Sequence, residues 1–186
     1  SLQNVDLGQA TMINVEIHND DRQKAVEVLK YKNFGNRSSG FNGNYEKQYT
    51  GLIGDLTVHR LLEMDPPNYN EGRIDTDILV NDKKIDVKSM LRKHDMRDNW
   101  VHNFVGYQKE ISSDVLLFVN INRNTKTVQL CGWLDKKKFL DTADFYNKGD
   151  LRQRDDGTSF KTYAPLYEIK QEKLNKLNDI KDLKNI

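Results

Sequence analysis

Apolar and polar positions along this chain fall into blocks whose period changes several times. The clearest helical block is 45–63, YEKQYTGLIGDLTVHRLLE, where Tyr49, Leu52, Ile53, Leu56, Leu61 and Leu62 recur at helical spacing, the mark of one buried helix face. Pro66 and Pro67 end it, since proline lacks the donor that a helix interior needs. An earlier helix is predicted over 21–30, capped by Asn19 or Asp20 and striped by Ala25, Val28 and Leu29. A strand at 12–17 precedes it. From 72 onward the period drops to two. Ile78, Leu79 and Val80 make a short strand, residues 81–84 a polar reversal, and the return strand carries Asp86 and Lys88 on one face. Ile85, Val87 and Ser89 take the other face, because successive strand side chains point to opposite sides.

Further strands are predicted at 100–105, at 115–121 and at 127–133, with a short helix or turn at 107–113. The run VLLFVNI at 115–121 is nearly all apolar, as in a strand covered on both faces. Beyond it the pattern predicts a helix from Asp135 to about Phe145, a long loop over 147–162 and a strand at 166–169. A closing amphipathic helix over 171–183 would use Leu174, Leu177 and Ile180. This order predicts an α/β fold, a central mixed β-sheet flanked by α-helices.

Composition adds modest limits. With 186 residues and 37% hydrophobic content, the chain reads as one folded domain, its core at about 20–133 and a helical C-terminal elaboration at 134–186. Cys131, the lone cysteine, cannot form an internal disulfide, which points to a reducing, cytoplasmic compartment. Its place in an apolar strand makes it a core residue. No apolar run approaches the roughly 18–20 residues that span a bilayer, and no signal-peptide pattern opens the chain. The start at Ser1 rather than Met reads as processing or trimming. Net charge of +1 gives no global pull toward nucleic acid, but Lys83, Lys84, Lys88, Arg92, Lys93 and Arg97 cluster around the 78–89 hairpin. A solubilising surface and a DNA contact explain that cluster equally well. The Gly- and Asn-rich loop 33–44 offers Arg37, Ser38 and Ser39 to phosphate, or is simply flexible.

The chemistry concentrates in the hairpin. An acid two residues before a lysine occurs at six places, Asp82/Lys84, Asp86/Lys88, Asp135/Lys137, Glu168/Lys170, Asp179/Lys181 and Asp182/Lys184. Only Asp86/Lys88 lies among apolar strand residues with a second acid, Asp77, before the adjoining strand. Two carboxylates and an ammonium converging there suit a hard metal and a phosphodiester; an exposed salt-bridged hairpin is the blander alternative. Gly51 and Gly54 each cost the 45–63 helix about 1 kcal/mol against alanine, so they predict close approach of another backbone. Asp55, a poor helix-interior residue, is either part of the site or a surface acid beside His59. The four histidines show no paired metal spacing.

This order and these residues resemble the PD-(D/E)xK, or restriction-endonuclease-like, nuclease superfamily, whose members include restriction enzymes, junction resolvases and phage nucleases. The match consists of Asp77, eight intervening residues and Asp86-Val87-Lys88, with GLIGD at 51–55 similar to a Gly-x-x-Gly-acid helix signature. It spans roughly 20–133. The chain departs from the commoner pattern by carrying Asp rather than Glu at both 55 and 86. Asp75 competes with Asp77, which abuts the strand and fits the family's interval. The resemblance implies Mg²⁺, or Mn²⁺ in its place, on Asp77, Asp86 and the Val87 carbonyl, with Lys88 acting on the attacking water. Asp55 would hold a metal-bound water or a second metal, and Gln108 would steady a phosphate or water. The implied activity is an endonuclease acting on double-stranded or branched DNA in a bacterial or phage-infected cell. Cutting both strands of a duplex calls for two sites, hence a homodimer. The alternative is a non-catalytic nucleic-acid-binding or assembly module that keeps the fold.

Overall fold

The computed structural model describes residues 12–31, 44–70, 78–109, 112–154 and 157–186. Asp75, Asp77 and the phosphate-contact candidates Arg37, Ser38 and Ser39 lie outside them. The chain forms β1 (Ile13–Glu16), α1 (Asn19–Tyr31), α2 (Tyr45–Leu61), β2 (Ile78–Val80), β3 (Lys83–Arg92), β4 (Val101–Val105), β5 (Val115–Asn122) and β6 (Thr127–Asp135). Then follow α3 (Lys136–Thr142), β7 (Asp144–Tyr146), β8 (Leu151–Gln153), β9 (Ser159–Lys161) and β10 (Leu166–Lys170). The fold is mixed α/β. One five-stranded sheet has the order β1-β6-β5-β3-β2, and a three-stranded sheet the order β4-β10-β7. In the larger sheet only β3 and β5 are parallel. No helix among the described residues is long and apolar enough to cross a membrane.

All eight residues of β5 are buried, because two cores meet on it. Val115, Leu117, Val119 and Ile121 face a core shared with α1 and α2, while Leu116 and Phe118 face a second core with Phe104, Phe139 and Ile169. β3 follows the same alternation: Ile85, Val87 and Leu91 join the helix side. Gly54 explains how closely α2 lies on it. A Cβ there would stand 1.9 Å from Ser89 Oγ and 3.1 Å from its Cβ, so a side chain at 54 would turn the Ser89 hydroxyl aside and force the helix to give by a few tenths of an ångström. α1 is fixed to α2 by Arg60, which donates from Nε and Nη2 to the Asp21 carboxylate at 3.1 and 2.6 Å.

β6 carries a bulge. Phe118 pairs with Gly132 but Val119 with Leu130, leaving Cys131 as the extra residue. One added residue reverses the facing of everything beyond it. Val128 and Leu130 therefore share the helix-side core, whereas Cys131 and Leu134 belong to the second. Burial pushes the Cys131 thiol up to about 12, so it is an inert core group, as its place in the sequence predicts.

The C-terminal third differs from the pattern-based expectation. The helix after Asp135 stops at Thr142, and Asp144–Tyr146 pairs with β10 instead. Within 147–162, β8 and β9 form a two-stranded ribbon. No long helix covers 171–183; short 3₁₀ turns at Gln171–Lys173 and Ile180–Asn185 flank an extended stretch. The reason is topological. Leu174 packs in the second core, but Leu177 and Leu183 pack in the first, so the chain passes around the sheet's margin, where Asn175 and Trp133 exchange backbone hydrogen bonds of 2.9 Å. Leu174, Leu177 and Ile180 recur every third residue, a period that extended and 3₁₀ segments satisfy as well as a helix does.

His102, 1% exposed, ties this region together: its Nε2 donates to Gln171 Oε1 at 2.6 Å, and Gln171 Nε2 donates to the Cys131 carbonyl at 2.7 Å. Burial pushes the imidazole down to about 3, against the Gln171 hydrogen bond, which favours the cation. The folded protein thus holds a neutral ring that the unfolded chain protonates near pH 6.5. This contribution to stability is complete above about pH 6.5 and is lost as pH falls toward 3. Urea denaturation at pH 7.5 and pH 5.0 should differ by about 2 kcal/mol from this group, and His102→Gln should flatten that difference.

Candidate active site

Asp86 and Lys88 are neighbours on the face of β3 that α2 does not cover. Lys88 Nζ lies 2.9 Å from Asp86 Oδ2, with the side chains 18% and 13% exposed. Lys88 also donates to Gln108 Oε1 at 2.6 Å and stands 5.3 Å from the centroid of the Phe104 ring. Phe104 belongs to β4, and Gln108 ends the 3₁₀ turn Gly106–Gln108 that follows it. The parallel connection from β3 to β5 runs through that strand, so the crossover itself sets a polar hand and an aromatic floor against Lys88. An ammonium this far withdrawn from water needs acceptors, and the carboxylate, amide oxygen and ring face supply them.

The start of β2 is close by. Ile78, which follows Asp77 in sequence, is paired with Ile85, which precedes Asp86. Asp55 comes from α2, whose Gly54 packs on Val87 and Ser89, the opposite face of β3 from Asp86 and Lys88. The Asp55 charge is felt at the buried Tyr69: burial chiefly, and that charge second, push the phenol up. His59 Nδ1 donates to the Asp55 carbonyl at 2.6 Å, so the ring serves its own helix. The structure thus unites Asp86, Val87, Lys88 and Gln108 and sets Asp55 on the helix behind them. Among the described residues no three His, Cys, Asp or Glu side chains converge on a metal-sized site.

Two neighbours escaped sequence reasoning. Lys136 is buried, with Nζ 3.5 Å from the Gln108 carbonyl oxygen; inside the run Lys136–Lys138 nothing distinguishes it from two exposed lysines. Phe104 reads only as a strand residue. Arg92 departs from the expected basic surface: it turns inward, donating to Asn120 Oδ1 at 3.0 Å and to the Val101 carbonyl at 2.6 Å, and burial lowers its pKa. Asn120 in turn reaches the His94 carbonyl and Gln129. Arg92 and Asn120 therefore fasten the 93–101 connection rather than meet a ligand. Lys83, Lys93 and Arg97 remain exposed.

No protein-family model, curated protein or solved structure matches the chain.

Proposed function

We propose that this chain is a Mg²⁺-dependent nuclease of the restriction-endonuclease-like class, hydrolysing DNA phosphodiesters at a site built on β3. The carrying observation is the Asp86–Lys88 pair: adjacent on one strand face, mostly withdrawn from solvent, 2.9 Å apart and fixed by Gln108. Asp86 offers the hard oxygen that Mg²⁺ prefers, and Asp77, Asp86 and the Val87 carbonyl are the groups that would hold the ion. When bound, the ion supplies Lewis-acid stabilisation of the phosphate and lowers the pKa of a water.

The protein's own share is positional. Lys88 places a cation beside the carboxylate, where charge accumulates on a phosphoryl oxygen during attack. Gln108 and the Phe104 ring restrain that ammonium, so little reorganisation accompanies the reaction. Asp55, expected to hold a water or second ion, sits on α2 behind the other face of β3, and the proposed site is built without it. A second reading, a non-catalytic nucleic-acid-binding module, draws on the same geometry: a pair already satisfied at 2.9 Å needs no ion to explain it.

A substrate panel separates them. Purified protein should nick or cut at least one of linear duplex, branched or single-stranded DNA with Mg²⁺ or Mn²⁺, and none in EDTA. Binding without cleavage across that panel and RNA would leave the binding-module reading in place.

A further inference from the structure

Two tyrosines stand out at the end of the β4–β10 pair that leads into Gln108. Tyr107 is 44% and Tyr163 79% exposed. They occupy different segments that leave the β4–β10 pair at one end, since Leu166 is paired with Val105. Gly106 N donates to the Pro165 carbonyl at 2.6 Å, and a Cβ on Gly106 would stand 2.7 Å from Pro165 Cβ, so the two segments are pressed together with no side chain between. Tyr163 is not on a loose loop: Thr162 and Ala164 on either side are both buried, and Thr162 Oγ1 donates to the Asn147 carbonyl at 2.6 Å. Tyr107 immediately precedes Gln108, the partner of Lys88.

The fold therefore presents two aromatic rings to solvent on anchored backbone, at the end of the β4–β10 pair from which Gln108 reaches the ammonium assigned to a phosphate. Aromatic faces beside a cation suit a polyanion whose monomers carry flat rings. In a continuous duplex those rings are already stacked on each other; in an unpaired strand they are free to stack on protein. We propose that Tyr107 and Tyr163 form a stacking platform for unpaired bases flanking the phosphate at Asp86 and Lys88. The preferred substrate is accordingly a single strand, flap or fork rather than uninterrupted duplex. This rests on the nuclease reading only for which phosphate is cut, and binding tests it without cleavage.

The experiment is fluorescence anisotropy in EDTA with three labelled DNAs: a single strand, a forked duplex with an unpaired arm, and a blunt duplex of the same length. Wild type should favour the first two. Tyr107→Ala and Tyr163→Ala should each weaken them about tenfold, as loss of one stacked base does, with less than about twofold change on blunt duplex. Tyr107→Phe and Tyr163→Phe should bind as wild type, because the ring and not the hydroxyl does the stacking. Equal losses on all three DNAs, or none, would overturn the proposal. So would unchanged DNA affinity with a changed sedimentation coefficient, which would make the tyrosines a self-association surface. Stacking behaviour as predicted in a protein that never cuts with Mg²⁺ would refute the nuclease reading and leave this one standing.

Discussion

Lys88→Met and Asp86→Asn should each reduce Mg²⁺-dependent cleavage by about 10²–10³-fold or more, the usual cost of removing one preorganised electrostatic group, while leaving the protein folded. Both substitutions keep shape. Methionine retains a stem to lie on Phe104, and asparagine retains an oxygen for Lys88. The more searching variant is the double replacement Asp86→Leu/Lys88→Met. A mostly buried ion pair replaced by apolar groups of similar size is often neutral or stabilising, so urea denaturation should show little loss. Cleavage should nonetheless disappear. Were the pair merely structural, the double variant would be as active as wild type in a nicking assay, and the site would have to be sought elsewhere.

Gly132→Ala should be among the most damaging small substitutions in the chain, costing about 2–6 kcal/mol by urea denaturation. Gly132 has φ of +142°, a region that side-chain-bearing residues adopt only at a strain of about 1–3 kcal/mol. A Cβ there would also stand 2.5 Å from the Asn175 carbonyl oxygen and 2.9 Å from Leu174 Cβ, and overpacking of that kind costs a further 1–3 kcal/mol or so. Neither neighbour is a flexible side-chain tip: one is backbone and the other a buried leucine. A variant within about 0.5 kcal/mol of wild type would show that the bulge and the segment crossing it are not held as described.

Much of the core was legible because local pattern and tertiary environment agree there. The unbroken apolar run at 115–121 is a strand covered on both faces, and the two-residue alternation of 85–89 correctly put Asp86 and Lys88 together, away from Val87 and Ser89. Gly54 signalled a close approach, which the Ser89 side chain rather than another backbone provides, whereas Gly51, read the same way, has open space where a Cβ would stand. In the C-terminal third the strand at 166–169 and the start of the helix after Asp135 were read correctly, and the rest was misread for one physical reason. Its segments take their shape from distant partners: Asp144–Tyr146 from β10 and Asn175 from Trp133. Such pairings leave no periodicity of their own. Arg92 and Lys136 are the residue-level counterpart. Charge is visible in a sequence, but the carbonyls at Val101 and Gln108 that draw these cations inward are not.

The margin where β6 meets β1 and Asn175 has a bearing on self-association. Strand edges carry unpaired backbone groups that invite another chain, and proteins blunt them by keeping edge strands short or covering them. Here β3, β5 and β6 run to ten, eight and nine residues, while the strands outside them, β1 and β2, have four and three. Where β1 ends, Asn175 takes over the exposed rim at Trp133. The long strands are thus shielded on that side by two remote pieces of chain. A second copy extending the sheet there would have to dislodge one of them, so any dimer that cuts both strands of DNA is better sought on the faces and loops than along that rim.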